Sequence, residues 1–145
     1  MEHTIRLAGP WELVRLPDNS VSRIQLPWAA VSSATGPRTA MLRRRFNQPT
    51  GLTENTSLKI LVSASVPLSE IRVNDECVPS SGISDTQRSP KTEMFSVIVN
   101  SFDITHCIRP YNVLEISTDL PGIPDGSGVS VESVVLQICE PASGN

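Results

Sequence analysis

From Leu58 to Ala64 every second residue is apolar, Leu58, Ile60, Val62 and Ala64, with Lys59, Leu61 and Ser63 between them. Successive side chains of a strand point to opposite faces, so this spacing predicts a strand with one face turned to a core. The same alternation returns in Glu70-Ile71-Arg72-Val73, in Phe95, Val97 and Val99, and in Asn112, Leu114 and Ile116. No window sustains an apolar repeat at i, i+3, i+4 and i+7 over several turns, and twelve prolines along the chain leave little room for a long helix. Parallel strands need crossovers that helices usually fill, which makes the pairing antiparallel. The pattern predicts an all-β chain, an antiparallel jelly-roll β-sandwich of about eight strands.

Local signals refine this outline. Asn74-Asp75 follows a strand-like run and suits the positive φ angles of a tight hairpin turn. Between Val129 and Cys139 the apolar parity changes: Val129 and Val131 are out of phase with Val134, Leu136 and Ile138, which predicts a β-bulge near Ser133. Thr105 is placed to cap a single helical turn over His106, Cys107 and Ile108, and Pro110 would stop it. Residues Ala29 to Thr39, Pro79 to Glu93 and Asp119 to Gly128, rich in Ser, Pro, Gly or Thr, read as surface loops.

With 145 residues, 39% hydrophobic and 19% charged, the chain has the length and apolar content for one globular domain over residues 1–145. A net charge of −3 provides no field for phosphate backbones or anionic lipid, so no nucleic-acid or membrane partner is expected. The start, Met1-Glu2-His3-Thr4-Ile5-Arg6, has no apolar signal core, and no run approaches the ~20 apolar residues that cross a bilayer, which points to a cytoplasmic location. Cys77, Cys107 and Cys139 form no CxxC pair, so neither a disulfide framework nor a zinc site is indicated. Asn55-Thr56-Ser57, a formal glycosylation acceptor, reads as an ordinary polar loop.

Five pieces then stand in a telling order: Gly9-Pro10-Trp11, Arg43-Arg44-Arg45-Phe46, Val73-Asn74-Asp75, Phe102-Asp103-Ile104-Thr105 and Asn112-Val113-Leu114-Glu115-Ile116. In this order they resemble the N-terminal sugar-binding domain of family 2 glycoside hydrolases, the β-galactosidase and β-glucuronidase group, among the galactose-binding-like jelly rolls. The resemblance covers most of the chain. Each piece also has a structural use: Trp11 and Phe46 as core anchors, Asn74 for the turn, Thr105 as a cap, Asn112 binding nearby backbone. The sequence departs from the family where its hairpin glycine is Asp75 and where Pro110-Tyr111 replaces a glycine turn. It also lacks the family's Asp-x-Trp-Arg segment that meets the catalytic barrel, having Asp119-Leu120-Pro121-Gly122 there instead, so no catalytic barrel is expected beside it. The resemblance thus implies a noncatalytic carbohydrate-binding or accessory module.

An independent active site is not indicated. His3 and His106 are the two histidines, no Gly-x-Ser-x-Gly elbow or phosphate-cradling glycine motif occurs, and no spacing singles out a carboxylate pair. His106-Cys107 is one adjacent pair where zinc needs three or four convergent ligands. No cofactor is expected beyond calcium, for which Asp119 and Asp125 with loop carbonyls are the candidate ligands, against the plainer reading of solvated acids in a turn.

Sugars are commonly held by an aromatic ring against the pyranose face, with polar side chains fixing the hydroxyls. Of two Trp, one Tyr and three Phe, Trp28 and Tyr111 are the candidate platforms, although Leu26-Pro27-Trp28 is equally a strand end packed on the sandwich. Arg43 and Arg45 complete the carbohydrate-binding set. Arg44 shares parity with Leu42 and Phe46, so it lies at a rim or needs a carboxylate or backbone carbonyls. The alternative to sugar binding is a protein–protein or self-association module.

Overall fold

Leu58, Ile60, Val62 and Ala64 are almost wholly buried, while the residues between them are half-exposed, as the alternation requires. The computed structural model describes residues 2–16, 20–31, 38–65, 68, 70–85, 98–120 and 128–140. Among these residues it has twelve strands: β1 Glu2–Arg6, β2 Trp11–Leu16, β3 Ser20–Ile24, β4 Trp28–Val31, β5 Arg38–Asn47, β6 Ser57–Ala64, β7 Glu70–Val73, β8 Glu76–Pro79, β9 Gly82–Asp85, β10 Ile98–Asp103, β11 Tyr111–Leu120 and β12 Gly128–Cys139. All pair antiparallel, in two six-stranded sheets.

One sheet runs β1-β12-β6-β10-β9 with β4 also on β12, and the other runs β3-β2-β5-β11-β7-β8. From β5 onward the chain passes repeatedly from one sheet to the other, as in a jelly roll. The inner faces meet in one core that includes Trp11, Leu42, Ile60, Phe102, Leu114 and Leu136. Each large apolar side chain taken out of water there contributes about 1.5–3 kcal/mol before the entropy of ordering is subtracted. No helix of the described residues is long and apolar enough to cross a membrane.

Twelve strands replace the expected eight because edge strands need little patterning. β1 carries Ile5 as its one strongly apolar residue and β9 carries Ile83, and both are strands through their pairing with β12 and β10. The loops expected at Ala29–Thr39 and Pro79–Glu93 accordingly contain β4, the start of β5, and β9. The third, Asp119–Gly128, is framed by the ends of β11 and β12, and residues 121–127 lie outside the described residues.

The bulge is present: β12 shifts register against β6 between Val131 and Ser133, leaving Glu132 as the extra residue. It sits where β12 changes neighbours, because β4 pairs with residues up to Val131 and β1 with residues from Val135 on the same edge. The phase expected for Phe95, Val97 and Val99 is wrong for Val99, and Phe95 and Val97 lie outside the described residues. In β10 the inward positions are Asn100 and Phe102, both fully buried. Asn100 belongs inside because its Oδ1 accepts the Leu68 N–H at 2.7 Å and its Nδ2 donates to the Val62 carbonyl at 3.2 Å.

The Asn74-Asp75 turn joins β7 to β8, with φ of 55° and 67° at the two residues. Positive φ strains a side chain that has a Cβ, and asparagine and aspartate tolerate it best. Asp75→Gly, which restores the glycine of the resembling family, is expected to raise stability slightly, by at most about 1 kcal/mol. A urea midpoint that falls would show that the Asp75 side chain supports the turn.

After β10 there is a tight turn rather than the expected helical one, closed by the Cys107 N–H on the Ile104 carbonyl at 3.0 Å. Thr105 is no local cap: its hydroxyl oxygen accepts the Leu58 N–H of β6 at 2.9 Å. The turn is capped by Asp103, whose Oδ1 accepts from the Thr105 hydroxyl at 2.7 Å and the Thr105 N–H at 3.0 Å. Those bonds, the hydroxyl's first, hold the Asp103 carboxyl below its ordinary value of 3.8. Folding lowers this pKa, so the stabilisation is complete above the ordinary value and is lost as pH falls through the folded one. Asp103→Asn is therefore expected to flatten the fall of the urea midpoint between about pH 5 and pH 2; an unchanged acid limb would mean that the carboxylate adds nothing.

Candidate functional site

Arg44 alternates with Leu42 and Phe46 on the inner face of β5, near the end of the strand. Its charge is met by backbone: Nε donates to the Ala8 carbonyl at 2.6 Å and Nη1 to the Arg45 carbonyl at 2.9 Å. Partial burial lowers its pKa without removing the charge. Ala8 lies on the link from β1 to β2, followed by Gly9, where a Cβ would clash with the Gln25 side chain and come within 3.2 Å of the Ile24 carbonyl oxygen. Arg44 thus fastens that link beside an open cleft of about 360 Å3 between β1 and β5. Ile5, Leu7, Phe46 and Leu136 give the cleft its apolar wall, and Arg6, Arg44 and Arg45 give it positive charge. Its volume lies at the lower end of small-molecule sites, at about 300–1,000 Å3.

Arg45 and Tyr111 project from the outer face of the β5–β11 pair. Arg45 opposes Val113 and Tyr111 opposes Asn47, which makes Arg45 and Tyr111 diagonal cross-strand neighbours about 7–8 Å apart. Tyr111 is 82% exposed and stands next to the cleft rim formed by Arg45 and Asn47. Arg43 is on the same face but engaged: Nε and Nη2 donate to the two carboxylate oxygens of Glu12 at 3.3 and 3.4 Å. The pair belongs to a row of alternating charge across five strands, Arg23, Glu12, Arg43, Glu115 and Arg72, each directly opposite the next. Half-exposed pairs of this kind are worth about 0–1 kcal/mol each, so the row marks an outer, solvated face.

Trp28 does not join this group. It is buried at 9% exposure on β4, in the other sheet, so packing takes its ring and no ligand can stack on it. Asp119 lies on β11 opposite Thr39, and Asp125 lies outside the described residues, so the expected calcium pair has no described geometry. Of the sequence candidates, the structure places Arg45 at the cleft, sets Tyr111 and Arg43 on the same sheet face outside it, and separates Trp28.

A second cluster was not legible from spacing. Glu76 opens β8 and approaches the turn after β10, where its Oε2 lies 3.2 Å from His106 Nε2. With the Cys107 thiol the three ligand atoms lie within 4.8 Å of one another. Cys107 is buried, its thiol directed to the Ile104 carbonyl at 3.4 Å. Burial, then the charge of Glu76, pushes its pKa up to about 11. His106-Cys107 is visible as a pair in the sequence; the third group is supplied by the neighbouring hairpin, far away in the chain.

No protein-family model matches this chain, and no curated protein does. Among solved structures it is similar to an FMN-binding beta-glucuronidase from Facaelibacterium prausnitzii L2-6, at 17% identity over 97% of this chain and with a TM-score of 0.67. The chain spans 23% of the length of that enzyme. The likeness is one of fold: this chain is built as an antiparallel β-sandwich of the kind found in one part of that β-glucuronidase.

Proposed function

We propose that this chain is a noncatalytic carbohydrate-binding module that takes a sugar in the cleft between β1 and β5. The observation that carries the reading is the cleft itself, an apolar wall with guanidinium groups at its rim; the exposed ring of Tyr111 lies outside it, opposite the rim residue Asn47. A pyranose offers a matching surface, with C–H groups for the wall or the tyrosine ring and hydroxyls for the arginines. The similarity of fold to part of a β-glucuronidase supports the same reading. The proposed role is an accessory one, presenting a substrate to catalytic machinery elsewhere, in keeping with a cleft whose described lining carries arginines and no carboxylate.

Isothermal titration with mono- and oligosaccharides, uronates included and with and without calcium, tests the reading. Saturable heat is expected at millimolar affinity, about −4 kcal/mol, and Tyr111→Ala is expected to weaken it by about fivefold, the loss of roughly 1 kcal/mol of stacking. Silence across the panel would remove sugar binding. Release of chromophore from aryl glycosides at any pH would remove the word noncatalytic.

One observation favours a second reading, self-association. Val21 on edge strand β3 is 56% exposed and stands in a cross-strand row with Val14 and Met41 on the outer face of its sheet. Val14 in that row is buried and Met41 half-buried, so Val21 is the exposed apolar position on the edge strand, and such an edge can seat a second copy. Light scattering on a sizing column decides: a dimer lost in Val21→Lys supports it, and a monomer at high concentration ends it.

A further inference from the structure

We propose that Glu76, His106 and Cys107 form a binding site for a divalent cation of the zinc class. The site is independent of the sugar cleft and uses two elements, β8 for the carboxylate and the turn after β10 for the imidazole and the thiol. All three side chains border one hollow of about 100 Å3, room for an ion and a water, whose own share of liquid volume is about 30 Å3. Tetrahedral zinc, with bonds of about 2.0–2.3 Å, holds its ligand atoms about 3.3–3.6 Å apart. His106 Nε2 and Glu76 Oε2, at 3.2 Å, already have that separation. The Cys107 sulfur, within 4.8 Å of both, has at most about 1 Å to travel.

The donor set selects the metal. A thiolate suits zinc and disfavours calcium and magnesium, and one nitrogen, one oxygen and one sulfur leave the fourth position to water. On binding, the hydrated ion gives up waters to the three ligands and the Cys107 proton goes to solvent. The backbone of the site is already set. The Cys107 N–H is bonded to Ile104, and Asn74 Nδ2 donates to the Cys107 carbonyl at 3.0 Å, which ties the hairpin to the turn that the ion would clamp. Arg109 also borders the hollow, and its charge opposes a cation, so zinc binding is expected to be weaker than in an all-neutral pocket.

The test is titration of the full chain with Co2+ as a spectroscopic probe and with Zn2+ against a chromophoric chelator. One Co2+ per chain is expected, with a near-ultraviolet sulfur-to-metal band and the strong visible bands of four-coordinate cobalt. Cys107→Ser should abolish the near-ultraviolet band. His106→Ala and Glu76→Gln, both at exposed positions that leave the fold intact, should weaken zinc binding about 100-fold, since even outer groups are worth roughly 10–100-fold. A Cys77→Ser, Cys139→Ser double variant removes the other two free thiols and should change nothing. Failure to saturate, weak six-coordinate spectra, or a band that survives Cys107→Ser and vanishes in the double variant would each overturn the site.

Discussion

Replacing Asn112 with alanine is expected to lower the free energy of unfolding by about 3–5 kcal/mol. Asn112 is 1% exposed and inward on β11, where the parity of Leu114 and Ile116 would otherwise place an apolar side chain. Its Oδ1 accepts the Arg109 N–H at 2.8 Å and Asn74 Nδ2 at 2.9 Å, and its Nδ2 donates to the carbonyls of Arg109 at 2.7 Å and Phe46 at 3.3 Å. Alanine would strand these groups where water has little access, and each buried orphan costs about 1–3 kcal/mol. The loss would propagate, since Asn74 also accepts the Val113 N–H at 2.9 Å and so holds the hairpin tip against β11. Urea unfolding followed by the fluorescence of the two tryptophans, Trp11 and Trp28, both buried, reads the effect directly. A loss under about 1 kcal/mol would mean that water takes over the side chain's bonds.

Trp11→Ala should have a comparable effect, about 3–5 kcal/mol, by leaving a large void between the sheets. Trp11 is fully buried, and its indole Nε1 donates to the Leu7 carbonyl at 3.0 Å, across the same link that Arg44 holds at Ala8. Trp11→Phe separates the two contributions. It keeps most of the ring's bulk and orphans the Leu7 carbonyl, so a loss of about 1–2 kcal/mol is expected. If the phenylalanine variant were as unstable as the alanine one, the hydrogen bond rather than the volume would be what the site depends on.

The layered fold is legible in the chain wherever burial on one face coincides with a period of two. Leu58 to Ala64, Ile71 and Val73, and Leu114 and Ile116 are such places, and the change of parity near Ser133 marks the bulge. Reading fails in β10, where a polar residue occupies an inward position beside an apolar outward one, Val99. Asn100 is buried because the Leu68 N–H and Val62 carbonyl need partners, a demand set by chain segments remote in sequence, and period alone assigns its strand to the wrong face. It fails again at β1, β3, β4 and β9, which acquire their form from the strands they border rather than from their own residues.

Of the candidate site, the outward direction of Arg45 follows from strand parity, whereas Tyr111 is legible only as an aromatic residue not needed by the core. Trp28 shows why scarcity of aromatics is a poor guide to exposure: a large ring at a strand end serves the core first. Glu76 could not be paired with His106 and Cys107 without knowing that the hairpin tip rests on the turn after β10, a contact made by Asn74 and Asn112.

The dependence of β1, β4 and β6 on β12 has a consequence for biosynthesis. A ribosome releases the first strands long before residues 128–139, and until these emerge one sheet lacks the member to which three others bind. Early segments must wait with open edges, so refolding is expected in the slow, millisecond-to-second class of proteins dominated by distant pairings. Nascent chains stalled short of residue 128 should remain protease-sensitive and should draw chaperones.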